Sequence, residues 1–176
     1  LGLIGIFAPI GLLLAMSFGY SRMQASTMQA LYWLFTATQG IGLSVVLMIY
    51  TGVSVTRVFF VTAIAFGSLS LYGYLTKRNL TGFGTFLFMG LIGIVVASLV
   101  NMFLHSAMVQ FVTSVIGVLV FAGLTAYDTQ RLKGDYFAVG NTAVAEKSAI
   151  MGAVSLYLDF LNLFQLLLQL TGQRRD

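Results

Sequence analysis

Six apolar runs, each long enough to cross a bilayer, dominate this sequence. They cover approximately residues 1–19, 28–50, 53–75, 83–104, 107–127 and 149–170. A membrane-spanning helix needs about 20 consecutive, mostly apolar residues. Only 8% of the 176 residues are charged, against about 25% in soluble domains, which excludes an ordinary soluble protein. The sequence therefore predicts an all-α polytopic membrane protein with a single transmembrane domain over residues 1–176.

The basic residues predict how the helices are oriented. Connections on the cytoplasmic side of a membrane carry an excess of lysine and arginine. The connections after the first, third and fifth runs are therefore predicted to be cytoplasmic, so the visible chain is predicted to start outside. A cytoplasmic N-terminus would then require one more helix upstream. Arg174 and Arg175 conflict with this scheme unless the last run crosses incompletely or the rule is weak there. The predicted cytoplasmic set is Arg22, Lys77, Arg78, Arg131, Lys133 and Lys147.

The composition also excludes several kinds of site and partner. The chain has no cysteine and one histidine, so disulfides, thiol catalysis and multi-histidine metal sites within the chain are excluded. In so apolar a chain the net charge of +4 reflects topology, and no nucleic-acid partner is expected. The partner predicted from composition is the lipid bilayer, and no cofactor is expected.

An aspartate stands in the middle of the last apolar run, in the segment SLYLDFLNLFQLLLQL. A carboxylate at the centre of a membrane helix costs about 2.5–3.5 kcal/mol on insertion scales. Asp159 shares one helical face with four other polar residues, at spacings of four, three, three and four. This face is predicted to point into the bundle or at water. We call it the polar stripe: Ser155, Asp159, Asn162, Gln165 and Gln169.

A second aspartate ends the preceding run, in the segment GLTAYDTQRLK. Asp128 is predicted where the helix leaves the membrane on the cytoplasmic side, and an acid there beside Arg131 is most often a solvated or locally paired charge. Two carboxylates in one site titrate as a unit. Protonated, they hold two helices together; ionised, they repel and become oxygen ligands for Ca²⁺. Asp128 and Asp159 thus predict a pH-sensing gate and a weak, transient Ca²⁺ site, with a structural tie between helices as the alternative for Asp159.

The predicted depths of the two aspartates differ. Asp159 lies about 15 Å into its predicted span at the rise of an α-helix, whereas Asp128 lies at the edge of its own. Contact between them requires tilt, a last helix that begins in the cytoplasm, or a water-filled inlet.

Small residues predict where helices approach closely. Gly90, Gly93 and Ala97 fall on one face of the fourth run, and Gly40 with Ser44 forms a small-xxx-small pair in the second. Such pairs allow close packing of membrane helices.

Two C-terminal segments resemble the last two helices of the Bax inhibitor-1 family, in particular its bacterial members. They are AYDTQRLK and the later IMGAVSLYLDFLNLFQLLLQL; SVIGVLVFAGLTAYDTQ and LSLYGYLTKRNLTG are similar too. The resemblance implies a seven-helix bundle with a central last helix, of which six spans are visible and the first is missing. It also implies a pH-sensitive Ca²⁺ leak through the bacterial inner membrane, with Asp128 and Asp159 as proton sensor and gate.

The same resemblance implies a third gate residue and an alternative function. Arg22 matches an arginine that latches onto the first aspartate of the pair. Some bacterial relatives are described as partners of a membrane-bound ATP-dependent protease, so the alternative is an interaction protein that modulates such a protease without transport. The oligomeric state is left open.

An enzyme is not expected. Intramembrane aspartyl proteases also carry two aspartates on membrane helices, but theirs include a Gly-x-Gly-Asp motif, and here Leu156, Tyr157 and Leu158 precede Asp159. Their Pro-Ala-Leu motif is absent as well, because the single proline is Pro9.

Overall fold

The computed structural model describes residues 2–140 and 142–175 of the chain. These residues contain six α-helices joined by short connections. No strand occurs in these residues. The helices α2 to α6 are long and apolar enough to cross a membrane, and Ala8–Gly19 of α1 adds a shorter apolar segment. In chain order the helices are α1 (Gly2–Gly19), α2 (Ala25–Ile49), α3 (Gly52–Leu75), α4 (Thr81–Leu104), α5 (Ala107–Val139) and α6 (Ala143–Thr171).

The connection between the last two helices is much shorter than predicted. The sequence predicted a long connection over residues 128–148, because the apolar runs stop there. The chain instead remains helical to Val139 and becomes helical again at Ala143. Gly140 ends α5 at a φ of 64°, which favours glycine, and the side chain of Thr142 caps the start of α6. The stretch between the two apolar runs is therefore mostly helical, and α5 and α6 form an antiparallel hairpin.

The helix α6 takes part in all three hydrophobic clusters of the described bundle. Val154 packs against α1 and α2 near its start, Leu163 against α4 and α5 in its middle, and Leu168 against Tyr50 and Val58 near its end. All three α6 side chains are buried. The helix α6 therefore contributes a buried side chain to each of the three clusters along its length.

The two ends of α6 contact opposite ends of the bundle. Near its start, Lys147 Nζ donates a hydrogen bond to the Tyr20 carbonyl oxygen at 2.9 Å, where α1 ends. After its end, the chain pairs with the α2–α3 connection: the Thr51 N–H donates to the Gln173 carbonyl at 2.9 Å, and the Arg175 N–H to the Ile49 carbonyl at 2.8 Å. The helix thus runs the full height of the bundle. Arg174 and Arg175 lie at the end opposite the predicted cytoplasmic set.

This pairing of residues 173–175 with residues 49–54, which we call the C-terminal clasp, includes one side chain. The Gln173 N–H donates to Ser54 Oγ at 3.0 Å, and Ser54 is buried. Replacing Ser54 by alanine leaves that N–H without its acceptor, so we expect the free energy of unfolding to fall by about 1–2 kcal/mol. Thermal unfolding in detergent measures the change.

Thr56 provides the control for this substitution. It is exposed, and its hydroxyl bonds only to the Gly52 carbonyl of its own helix, at 3.0 Å. Thr56→Ala is expected to leave the unfolding temperature almost unchanged. Equal effects of the two substitutions would show that the clasp adds no stability.

Two glycines bring neighbouring helices against α5. A Cβ atom at Gly73 of α3 would meet the backbone carbonyl of Ala126, and one at Gly84 of α4 would lie 2.6 Å from ring atoms of Tyr127. Backbone atoms cannot move aside as a flexible side chain can. These two contacts fix α5 between α3 and α4 directly beside Asp128.

Candidate functional site

The structure brings Asp128 and Asp159 together. One stands on α5 and the other on α6, and both line the same cavity, close enough for their carboxyl groups to interact. Asp159 is only 4% exposed, and the side chain of Asp128 is 13% exposed. We call the pair the aspartate dyad.

The hairpin geometry explains how the dyad forms. Because α5 continues to Val139 and α6 starts at Ala143, Asp128 lies about 17 Å and Asp159 about 24 Å from the hairpin turn, at about 1.5 Å per residue. The offset between them along the hairpin is therefore only about 7 Å. Of the conditions named from the sequence, the structure shows a last helix that begins well before its apolar run.

A cavity of about 1180 Å³ runs between α1, α4, α5 and α6 along the dyad. Its α4 wall is mostly apolar, from Phe88 to Met102. Its α6 wall carries every residue of the polar stripe. We call this cavity the polar groove. The five polar side chains on one face of this membrane helix thus lie along the wall of one groove.

Two residues of the polar stripe are bonded to neighbouring groups. Ser114 Oγ of α5 donates to Gln169 Oε1 at 3.3 Å, at the end of the groove far from the hairpin turn. Asn162 Nδ2 donates to the Leu158 carbonyl of its own helix at 2.8 Å, which leaves its amide oxygen available to the groove. The α6 wall is therefore a column of oxygen atoms and amide groups.

Asp159 itself lacks a conventional donor. Its Oδ2 atom is buried and has no hydrogen-bond partner among the residues that the structure describes. A buried carboxylate oxygen without a donor is costly. The missing donor would have to be water or a proton on one of the two carboxyl groups.

Arg131 contacts both of the helices that carry the dyad. Its Nη2 atom lies 3.3 Å from Asp128 Oδ1 and donates to Ser155 Oγ at 3.4 Å, which links α5 to α6. Its guanidinium carbon lies 5.8 Å from the ring centroid of Tyr127. Within residues 2–140 and 142–175 this is the one salt bridge. The sequence suggested Arg131 only as a neighbour of Asp128, and its contact with α6 was missed because spacing on one helix does not report on another.

Arg22 lies outside this arrangement. It is exposed, its N–H bonds to the Gly19 carbonyl in the α1–α2 turn, and it does not line the polar groove. The ion pair of Asp128 is with Arg131 instead. The latch role that the resemblance implies for Arg22 stays a prediction.

The dyad offers few metal ligands. No group of three or more histidine, cysteine, aspartate or glutamate side chains that could hold a metal occurs in the described ranges. Ca²⁺ takes about six to eight oxygen ligands, so an ion at the dyad must draw the others from water or from neutral oxygens of the polar stripe.

Comparisons with known proteins match the chain over its whole length. The family model described as "Inhibitor of apoptosis-promoting Bax1" matches residues 1–176. A Rickettsia prowazekii protein is 49% identical over 175 residues, covering 99% of this chain and 74% of its own length. "Inner membrane protein YbhL" of Escherichia coli is 48% identical over 176 residues, covering 98% and 75%. A membrane protein of Streptococcus pyogenes is 39% identical over 155 residues, covering 88% and 67%. The chain belongs to the Bax inhibitor-1 family.

Proposed function

We propose that this protein is a pH-sensitive route for passive Ca²⁺ movement across the bacterial inner membrane, gated by the aspartate dyad. The observation that carries the proposal is the position of the dyad in the polar groove, whose α6 wall is polar over about 21 Å from Ser155 to Gln169. The printed name of the Escherichia coli relative supports the inner membrane as its location.

The proposed gate works through one proton. While the dyad shares a proton, a hydrogen bond joins α5 to α6 at Asp128 and Asp159. When the proton leaves, two negative charges face each other across the helices and repel. The same change creates an anionic site in the groove that attracts a divalent cation. Two carboxylates bind Ca²⁺ weakly, and weak binding lets the ion leave again.

The first experiment reconstitutes the protein in liposomes and measures Ca²⁺ uptake between about pH 6 and pH 8, the range over which the proposed gate would respond. Flux that exceeds that of empty liposomes and changes with pH supports the proposal. Flux no larger than that of empty liposomes refutes it.

Replacing Asp128 by asparagine is expected to change the flux at the acid end of this range. Unlike Asp159→Asn, this substitution also removes the carboxylate that pairs with Arg131, and an interaction worth about 1 kcal/mol changes the ratio of closed to open protein about fivefold. Asp135→Asn is the matched control, because Asp135 is an exposed acid on the same helix that does not line the groove. Wild-type flux in Asp128→Asn at every pH would remove Asp128 from the gate.

A second candidate function rests on the hairpin end of α5. Tyr136 and Phe137 are 69% and 70% exposed and pack edge to face. We propose as the alternative that this aromatic pair docks on a membrane-bound ATP-dependent protease, without ion transport. Co-purification with such a protease that is lost in the variant Tyr136→Ser/Phe137→Ser, together with absent Ca²⁺ flux, would favour this alternative.

A further inference from the structure

The guanidinium of Arg131 stands at the position where a cation would reach the dyad. It contacts Asp128 Oδ1 and Ser155 Oγ through the same nitrogen, and all three residues line the polar groove. Its side chain is 47% exposed, whereas that of Asp128 is 13% exposed. The positive charge therefore covers the more accessible carboxylate from the solvent side.

Among the described residues, three charged side chains line the polar groove, and one of them is positive. From α5 the groove receives Asp128, Arg131 and the phenol of Tyr127, and from α6 it receives Asp159. The groove-lining residues of α1 and α4 carry no charge. Within the described chain, Arg131 is thus the one cation of the groove.

A guanidinium and Ca²⁺ compete for the same carboxylate, because their like charges repel. The arginine nitrogen lies 3.3 Å from Asp128 Oδ1. Ca²⁺ would approach that oxygen to about 2.3–2.6 Å, which places it within about 6 Å of the arginine nitrogen, where the two positive charges repel. Binding of the ion is therefore favoured when Arg131 moves away. Its partial exposure and long, weak contacts make that movement inexpensive.

We propose that Arg131 is a tethered cation that competes with divalent cations for Asp128 and so sets how strongly the polar groove binds them. The inference rests on the proposed function only in taking Ca²⁺ as the cation. Ser155 holds the guanidinium in the competing position from α6. Arg131 is a positioning residue whose effect is on binding of the ion at Asp128.

Ca²⁺ affinity of the purified full chain in detergent tests this proposal, with no transport step involved. The protein is first loaded with Tb³⁺, whose luminescence Tyr127 on the groove wall is expected to sensitise. Ca²⁺ is then added, and the loss of luminescence measures how strongly it displaces Tb³⁺. We expect Arg131→Gln to tighten Ca²⁺ binding about five- to tenfold, because it removes the competing charge and keeps a side chain that can bond to Ser155. Arg131→Lys, which keeps the charge, is expected to bind as the wild type does.

Two further variants test whether tighter Ca²⁺ binding in Arg131→Gln arises from the loss of competition at Asp128. Arg78→Gln removes an exposed charge at the same end of the bundle that does not line the groove, and its affinity is expected to stay at the wild-type value. The double variant Asp128→Asn/Arg131→Gln is expected to lose the gain. Unchanged affinity in Arg131→Gln, or a gain that persists in the double variant, overturns the proposal.

Ser155→Ala keeps the proposal testable if Arg131→Gln does not fold. It frees the guanidinium from α6, so affinity is expected to rise in the same direction by a smaller factor, and an unchanged affinity contradicts the inference. The result is also separable from the proposed function. Binding that responds to Arg131 in a protein that passes no Ca²⁺ refutes permeation alone, and flux without any response of binding refutes the role of Arg131 alone.

Discussion

Replacing Asp159 by asparagine is expected to make Ca²⁺ flux the same at every pH between about 6 and 8. An amide is neutral and donates a hydrogen bond to Asp128, as a protonated carboxyl group does, but it cannot release a proton. The variant is therefore held in one state of the gate. Its flux is expected to equal that of the wild type at the acid end of the range, measured as Ca²⁺ uptake by liposomes.

Asn162→Ala is the matched control for this experiment. Asn162 lines the same groove one turn further along α6, and its amide bonds to a backbone carbonyl of its own helix. Its replacement exchanges one neutral group for another, so the pH response is expected to persist. A normal pH profile in Asp159→Asn would place the proton sensor elsewhere and leave Asp159 as a tie between helices.

The largest loss of stability is expected from Gly73→Val. A Cβ atom at this position would meet the carbonyl group of Ala126, with its carbon 2.9 Å away, and both helix backbones would have to separate. Overpacking of this kind costs about 1–3 kcal/mol for one added group, and a branched side chain adds more. We expect Gly73→Ala to lower the free energy of unfolding by that amount and Gly73→Val to prevent recovery of folded protein.

Gly67 separates this effect from the general effect of replacing a helical glycine. It lies on the same helix, and no atom stands within 4 Å of the place that a Cβ atom would take, so Gly67→Ala meets no neighbour. Alanine favours a helix over glycine by up to about 1 kcal/mol, and Gly67→Ala is expected to be neutral or stabilising in thermal unfolding. Equal losses from both alanine variants would show that α3 and α5 can part without cost.

The spacing of the polar residues was sufficient to predict the polar wall of the groove, because residues three or four positions apart lie on the same face of a helix. The four polar partners of Asp159 needed no knowledge of any other helix. Hydropathy was less informative about Asp128, since it detects where lipid ends and not where a helix ends. The residues from Arg131 to Val139 are polar enough to stop an apolar run, yet they continue α5.

Close approaches between helices were predicted correctly at one glycine of three. A Cβ atom at Gly90 would lie 3.1 Å from Val120 Cγ2 of α5, but Gly40 and Gly93 have open space there, and tighter contacts fall at Gly73 and Gly84. A small residue permits a close approach, but the partner helix decides whether one occurs. The bond from Arg131 to Ser155 was missed for the same reason, because it depends on how two helices are rotated against each other.

The C-terminal clasp restricts how α6 moves. With its last residues paired to the α2–α3 connection, the helix is not free to slide along its axis like a piston. The helix α6 could still tilt about its clasped end, and its other residues would then move further the further they lie from the clasp. Asp159 lies about 18 Å from Thr171 at about 1.5 Å per residue, so a tilt of about 5° displaces it by about 1.5 Å. That displacement would be enough to break a hydrogen bond, so in the proposed gate a small angular change of α6 would separate the dyad.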